Sequence, residues 1–373
     1  ERGYLSPGTA LYEAASEGHA DVIELLIEVG VDIQTVDSQD NPLLHAAAES
    51  GSVRSVALLL EAGAKLQRDG SSETPMHAAA KVGSVEIAKL FLDAGDSIGS
   101  KNWKGQTPLH HAARVGHKDF VAFLLEQGAD PCQADDRGKA PIHEVAYSDS
   151  IETAQLLIDH GADPTRKTWM PLKEERTASP VLAAVSSRRI NIDMLKFFLE
   201  RGADPNGHNN YRGDTPLHMA GLWPEAIKLL LNAGAALGGE NRQGSMPLHL
   251  VSAHGQTESV KILLDAGADP DARNYFGDTP LFFAVAAAPT SKTSKIKLLL
   301  DRGADANAAN NRDVTPLHYA ARNGDVEAIQ ILLDYGANPG ATDTQGRTPL
   351  AYAKDTAGFN LESVIEKLGS AQR

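Results

Sequence analysis

Thirteen histidines are the first place to look for chemistry in this chain of 373 residues, since imidazole titrates near neutral pH and is the commonest metal ligand. Seven of them, His45, His77, His110, His143, His218, His249 and His318, share one recurring setting, of which Pro108-Leu109-His110 is typical. A zinc or general-base role would need partners at ligand spacing, such as an H-E-x-x-H helix or a cysteine cluster, and the sequence holds neither. His110 and His111 are adjacent and so face different sides of a helix. His19 and His117 each follow a glycine, while His160, His208 and His254 belong to no motif. The single cysteine, Cys132, has no recurring histidine near it in sequence. There is no G-x-S-x-G elbow, no G-x-x-x-x-G-K-[ST] phosphate loop and no dinucleotide fingerprint after a strand. Recurrent carboxylates come singly, as Asp130, Asp163, Asp204, Asp269 and Asp305, each after Gly-Ala, where an aspartate shapes a turn. The expectation is therefore no catalytic residue, no metal site and no cofactor.

The histidines recur because the elements that carry them recur. In Gly105 to Asp130, Thr107 offers a side-chain oxygen to cap a helix start and Pro108 suits the first helical position. Leu109, Ala112 and Ala113 then make one apolar face, and Gly116 supplies a turn. A second helix is predicted from about Lys118, with Phe120, Val121, Phe123, Leu124 and Leu125 on its apolar side and Gly128 at its end. Neither helix hides its apolar face alone, so the unit is stable only when stacked on copies of itself.

With Thr107-Pro108-Leu109-His110, Ala112-Ala113, Gly116-His117 and Leu124-Leu125-Gly128-Ala129-Asp130, this stretch resembles the ankyrin repeat. Aligned on Thr107, repeats start at Thr9, Pro42, Thr74, Thr107, Ala140, Ser179, Thr215, Met246, Thr279, Thr315 and Thr348, with steps near the ankyrin period of about 33 residues. The resemblance implies an all-α ankyrin-repeat solenoid of stacked helix-turn-helix units joined by β-hairpin-like loops, one domain over residues 1–373. It implies, too, that the seven histidines hydrogen-bond backbone between neighbouring units. The Leu-Leu pairs are expected to form the core.

Net charge is -14, with 49 acidic against 35 basic side chains. That balance disfavours nucleic acid and anionic membrane surfaces and favours a basic partner. No apolar run reaches spanning length, and no signal segment opens the chain. A lone cysteine and the lack of Asn-x-Ser/Thr favour a reducing, cytoplasmic setting, with the nucleus as the alternative. The start at Glu1 without methionine suggests a piece of a longer protein, so a regulatory or targeting region of a larger enzyme or receptor is a second reading.

Binding residues are sought where the repeat pattern is silent. By the resemblance, residues just before each threonine position form loop tips that line, with the first helices, a concave face used for protein or peptide partners. These tips hold Trp103 and Lys104, Asp136 and Arg137, Tyr211 and Arg212, Arg242, Tyr275 and Phe276, and Asn311 and Arg312. Aromatic and arginine side chains are the usual binding hot spots. A second candidate is Trp169, in an insertion of about six residues among Arg166, Lys167, Lys173 and Arg176. A third reading is a small-ligand or catalytic pocket in irregular repeats five to nine, lined by Trp169, Trp223, Phe282 and Phe283. Asn206 and Asn307 resemble the asparagines hydroxylated in ankyrin proteins, a pattern nearly inherent to the repeat.

Overall fold

The structure is a computed structural model and describes residues 7–37, 41–166, 179–186, 190–208, 212–287, 292–355 and 361–371. Among the described residues it is all-α: 22 α-helices and two short 3-10 segments, with one isolated antiparallel bridge, Val36 to Pro42. Contacts gather the described residues into two units, the first from 7–166 with 179–184 and 201–203, the second from 185–186, 190–200 and 204–371.

Each repeat is a pair of helices. In repeat four these are Pro108–Val115 and Lys118–Glu126, with Pro108 in the first turn where its missing N–H costs nothing. Repeat one opens earlier than expected, its helix Pro7–Ser16 starting ahead of Thr9, yet Leu11, Ala14 and Ala15 are buried in the expected register. Second helices are opened by short polar caps: Ser52, Ser84, Ser150 and Asp325 each accept a backbone N–H three residues on. Where the turn glycine is replaced or the turn shortened, in repeats five and seven, the first helix tightens into 3-10 segments, Val145–Tyr147 and Ala220–Leu222.

Within the first unit the first helices Leu43–Glu49, Pro75–Val82, Pro108–Val115 and Pro141–Glu144 pack in sequence. In the second, Pro216–Met219, Pro247–His254, Pro280–Ala286, Pro316–Arg322 and Pro349–Asp355 do the same. Alanines at Ala79, Ala112, Ala113, Ala320 and Ala321 are fully or almost fully buried, which brings neighbouring backbones close. Gly83 shows how close: it is left-handed (φ +82°), and a Cβ there would lie 2.5 Å from the ring of His117 in the next repeat.

The Leu-Leu pairs are not uniformly core. Leu124 and Leu125, and Leu299 and Leu300, are both buried, but Leu263 is fully buried while Leu264 is only half-buried. Successive helical residues point about 100° apart, so the second leucine of a pair leaves the seam.

Candidate functional site

The loop tips are the most regular polar structure in the molecule, and what fixes them was not read from the sequence. In seven repeats an Asn or Asp stands five residues before the threonine position, and its Oδ1 accepts two backbone N–H groups of its own tip. Asn102 takes those of Lys104 and Gln106 (2.9 and 3.0 Å), Asn274 those of Phe276 and Asp278 (2.9 and 3.0 Å), and Asp343 those of Gln345 and Arg347 (2.9 and 2.8 Å). Asp69, Asp135, Asn241 and Asn310 do likewise. Where the anchor is asparagine its Nδ2 also reaches back one repeat, as from Asn241 to Asp214 and from Asn310 to Asp278, each at 2.8 Å. Neighbouring tips are then joined backbone to backbone: Asp136 N–H to Lys104 O (2.9 Å), Arg242 to Arg212 (2.7 Å), Tyr275 to Gln243 (3.0 Å), Asn311 to Phe276 (3.0 Å) and Thr344 to Arg312 (3.0 Å). The loops are hairpin-like in this sense, closed and laddered without named strands.

The recurrent histidines behave as the repeat resemblance implies, with one addition. Nε2 of His77, His110, His218, His249 and His318 lies 2.8–3.1 Å from the carbonyl just before the next repeat's threonine position. His45 makes the same contact with Glu73, and His143 with Arg166, so here the chain meets its partner before residue 167. The ring joins the threonine at the helix start: Nδ1 accepts the cap residue's backbone N–H, at 3.0 Å from Thr74 and 3.1 Å from Thr107, and lies 3.1 and 2.9 Å from their hydroxyls. Because the donor is backbone, Ala140 and Met246 serve equally. Pro42 has no N–H to give, and Nδ1 of His45 is buried without a partner among the described residues. A nitrogen that accepts a backbone N–H carries no proton, which assigns the other as the donor and makes the ring neutral. Burial holds all seven below the ordinary histidine value, down to about 4 for His77 and His143, against the opposing pull of the carbonyl bond.

Four residues past the threonine position a ring from the next repeat closes on this ladder edge-on: His111 on His77 at 5.6 Å, Phe283 on His249 at 5.3 Å, Tyr319 on Phe282 at 5.8 Å and Tyr352 on His318 at 5.1 Å. The first helices and tips of each unit enclose an open groove. In the first unit it has about 360 Å³ and is lined by Lys104, Arg114, Arg137 and Lys139, by Asp135 and Glu144, and by His110 and His111. Arg114 and Lys139 reach Glu144 (2.6 and 3.5 Å) and lie over the Tyr147 ring at 4.8 and 5.2 Å. Burial would raise Glu144, but Lys139 and Arg114 lower it overall. Beside it Lys81 and His111 hold Glu73 (2.8 and 3.3 Å), offsetting its burial and keeping it far below the usual carboxylate range. In the second unit a groove of about 350 Å³ runs from Phe276 and Arg312 past Tyr319 and Arg322 to Arg347 and Tyr352. The cation of Arg347 stacks on Tyr352 at 4.6 Å and pairs with Asp343 at 2.8 Å.

The family model described as ankyrin repeats (3 copies) matches residues 4–69, 44–135, 76–168, 181–274, 222–310 and 281–366. The chain is an ankyrin-repeat protein. Of the residues expected to bind, Lys104, Arg137, Phe276 and Arg312 line the grooves of these ankyrin units, Trp103 and Tyr275 stand on the same tips as Lys104 and Phe276, and Arg242 and Arg212 stand one and two tips before that of Tyr275. Trp103 and Tyr275 are 74 % and 63 % exposed, but Tyr275 is not free: its ring covers Gly244 and its hydroxyl donates to Glu240 at 3.0 Å. Tyr211 and the Trp169 insertion, with Lys167, Lys173 and Arg176, lie outside the described residues. Residues missed from sequence are the groove floor, His111, Arg114, Glu144, Tyr319, Arg322 and Tyr352. Their signal was present, since the fourth and seventh positions after the threonine change type from repeat to repeat while the fifth and sixth between them stay mostly small and apolar.

Three aromatics expected around a pocket have other settings: Phe282 is buried in the ring ladder, Phe283 stacks on His249, and Trp223 caps the helix Pro224–Asn232. Asn206 and Asn307 bridge to the next repeat, each amide bonded to backbone on both sides. Among the described residues no group of three or more His, Cys, Asp or Glu is placed to hold a metal, and no helix is long and apolar enough to cross a membrane.

Proposed function

We propose that this ankyrin-repeat protein is a non-catalytic scaffold that holds a protein or peptide partner against the face formed by its tips and first helices. The observation that carries this reading is the sorting of positions: repeated residues are engaged in the stack, whereas the grooves in both units are lined mainly by residues that vary, with repeated ones such as His110, Asp135 and Asp343 among them. A surface already fixed by anchored tips loses little ordering entropy on binding. Ankyrin repeats are generally protein-interaction modules, which agrees. The repeat histidines support a non-catalytic role, because in six of the seven both ring nitrogens serve backbone contacts and in His45 one does. Net charge of -14 supports protein over nucleic acid as partner. The lone half-buried Cys132, whose thiol donates to Gly161 O at 3.3 Å, supports a reducing compartment, cytoplasm or nucleus.

A photo-cross-linking residue placed at Lys104 or Phe276 is expected to capture a partner from cell extract, and the same residue at Glu126 or Asp265, on second helices, is not. Capture from the second-helix positions alone would overturn the proposal.

A further inference from the structure

The partner's charge was expected to be basic from the whole-chain balance, yet the first groove has the opposite sign. Four cations, Lys104, Arg114, Arg137 and Lys139, face two carboxylates. Those two are turned inward: Asp135 is 7 % exposed and holds the N–H groups of Arg137 and Lys139 (both 2.8 Å), while the Glu144 side chain is 3 % exposed and held by Arg114. The cations are turned outward, with Lys104, Arg114 and Arg137 exposed. Lys104 and Arg137 have no ion-pair partner among the described residues, and the bond from Asp136 N–H to Lys104 O sets them on adjoining tips.

The pattern is not an accident of one repeat. In the second unit three of the four equivalent positions carry Arg312, Arg322 and Arg347, with Gln345 at the fourth, around Asp278 and an inward Asp343, again with a guanidinium on a tyrosine. At physiological ionic strength charges act over about 8 Å, so a ligand in the groove feels these cations more than the distant surface acids.

We propose that the groove between repeats four and five receives an acidic peptide segment whose carboxylates meet Lys104, Arg114 and Arg137. The inference rests on the peptide-binding reading above and specifies its ligand. Guanidinium forks match carboxylates in geometry, and Arg114, held by Glu144 and Tyr147, is already oriented for one. The unpaired cations are spread over two tips rather than gathered at one point, which suits an extended chain with more than one acidic residue.

The test selects random displayed heptapeptides on the full chain carrying Arg312→Glu, which reverses a cation of the second groove. Bound peptides are then remeasured with Lys104→Glu and Arg137→Glu added, thermal melting confirming that each chain is folded. The expected result is enrichment in Asp and Glu and a fall in affinity of about tenfold or more on charge reversal, with Lys104→Gln and Arg137→Gln intermediate. Neutral or basic peptides that still lose affinity on these substitutions would overturn the acidic assignment and leave the groove as a peptide site. Peptides indifferent to every groove substitution would overturn both.

Discussion

His77, His249 and His318 each tie three things at once: their own helix start, the next repeat's tip and, through the ring edge, the next repeat's first helix. An unfolded histidine binds a proton near pH 6.5, whereas His77 and His143 stay neutral down to about 4. Between those values the unfolded chain holds more protons, so the histidine contribution to stability should be full above about 6.5, decline as pH falls through the window and level off below about 4. Urea midpoints at pH 7.5 and 5.0 check this, with the lower midpoint expected at pH 5.0; an unchanged midpoint would contradict the ladder's energetic role. Gly83→Ala should cost at least about 1–3 kcal/mol, since it both strains a left-handed residue and drives a methyl into His117. The seven histidines were legible because they repeat. The role of Nδ1 at six of the helix starts was not, because a backbone donor leaves no mark in the sequence.

Elements divide into seam and tip. Leu263→Ala should destabilise by about 2–5 kcal/mol and Leu264→Ala clearly less, because only the first lies wholly inside. Asn241→Ala should cost about 1–3 kcal/mol by unpairing the tip N–H groups of Gln243 and Ser245 and removing the bond to Asp214. Tyr275→Ala, at a half-open site on Gly244, should stay within about 1 kcal/mol. Calorimetric melting of the four variants orders them. Helix pairs and their boundaries were legible from proline, glycine and apolar spacing, as Pro108–Val115 and Lys118–Glu126 show. The tip anchors escaped notice because Asn102 or Asp135 in a loop looks like any turn residue until its two backbone partners are seen. The 3-10 endings of repeats five and seven follow from a lost glycine and a shortened turn, whose irregularity was visible although its form was not.

At the scale of the molecule, net charge and groove charge have opposite signs, and a composition-level argument sees only the first. Which residues line a groove depends on how columns from adjacent repeats meet: Lys104 and Arg137 were legible as tips, but Arg114 and Glu144 became a floor only once the first helices were stacked. The division between a repeated stack and a variable face is the central claim, and capture from extract by the wild-type chain and by a Trp103/Tyr275/Phe276→Ala chain of equal melting temperature tests it most directly. The account predicts that proteins held by the wild type are lost by the substituted chain while its melting curve is kept. Retention of the same proteins by both chains would contradict it.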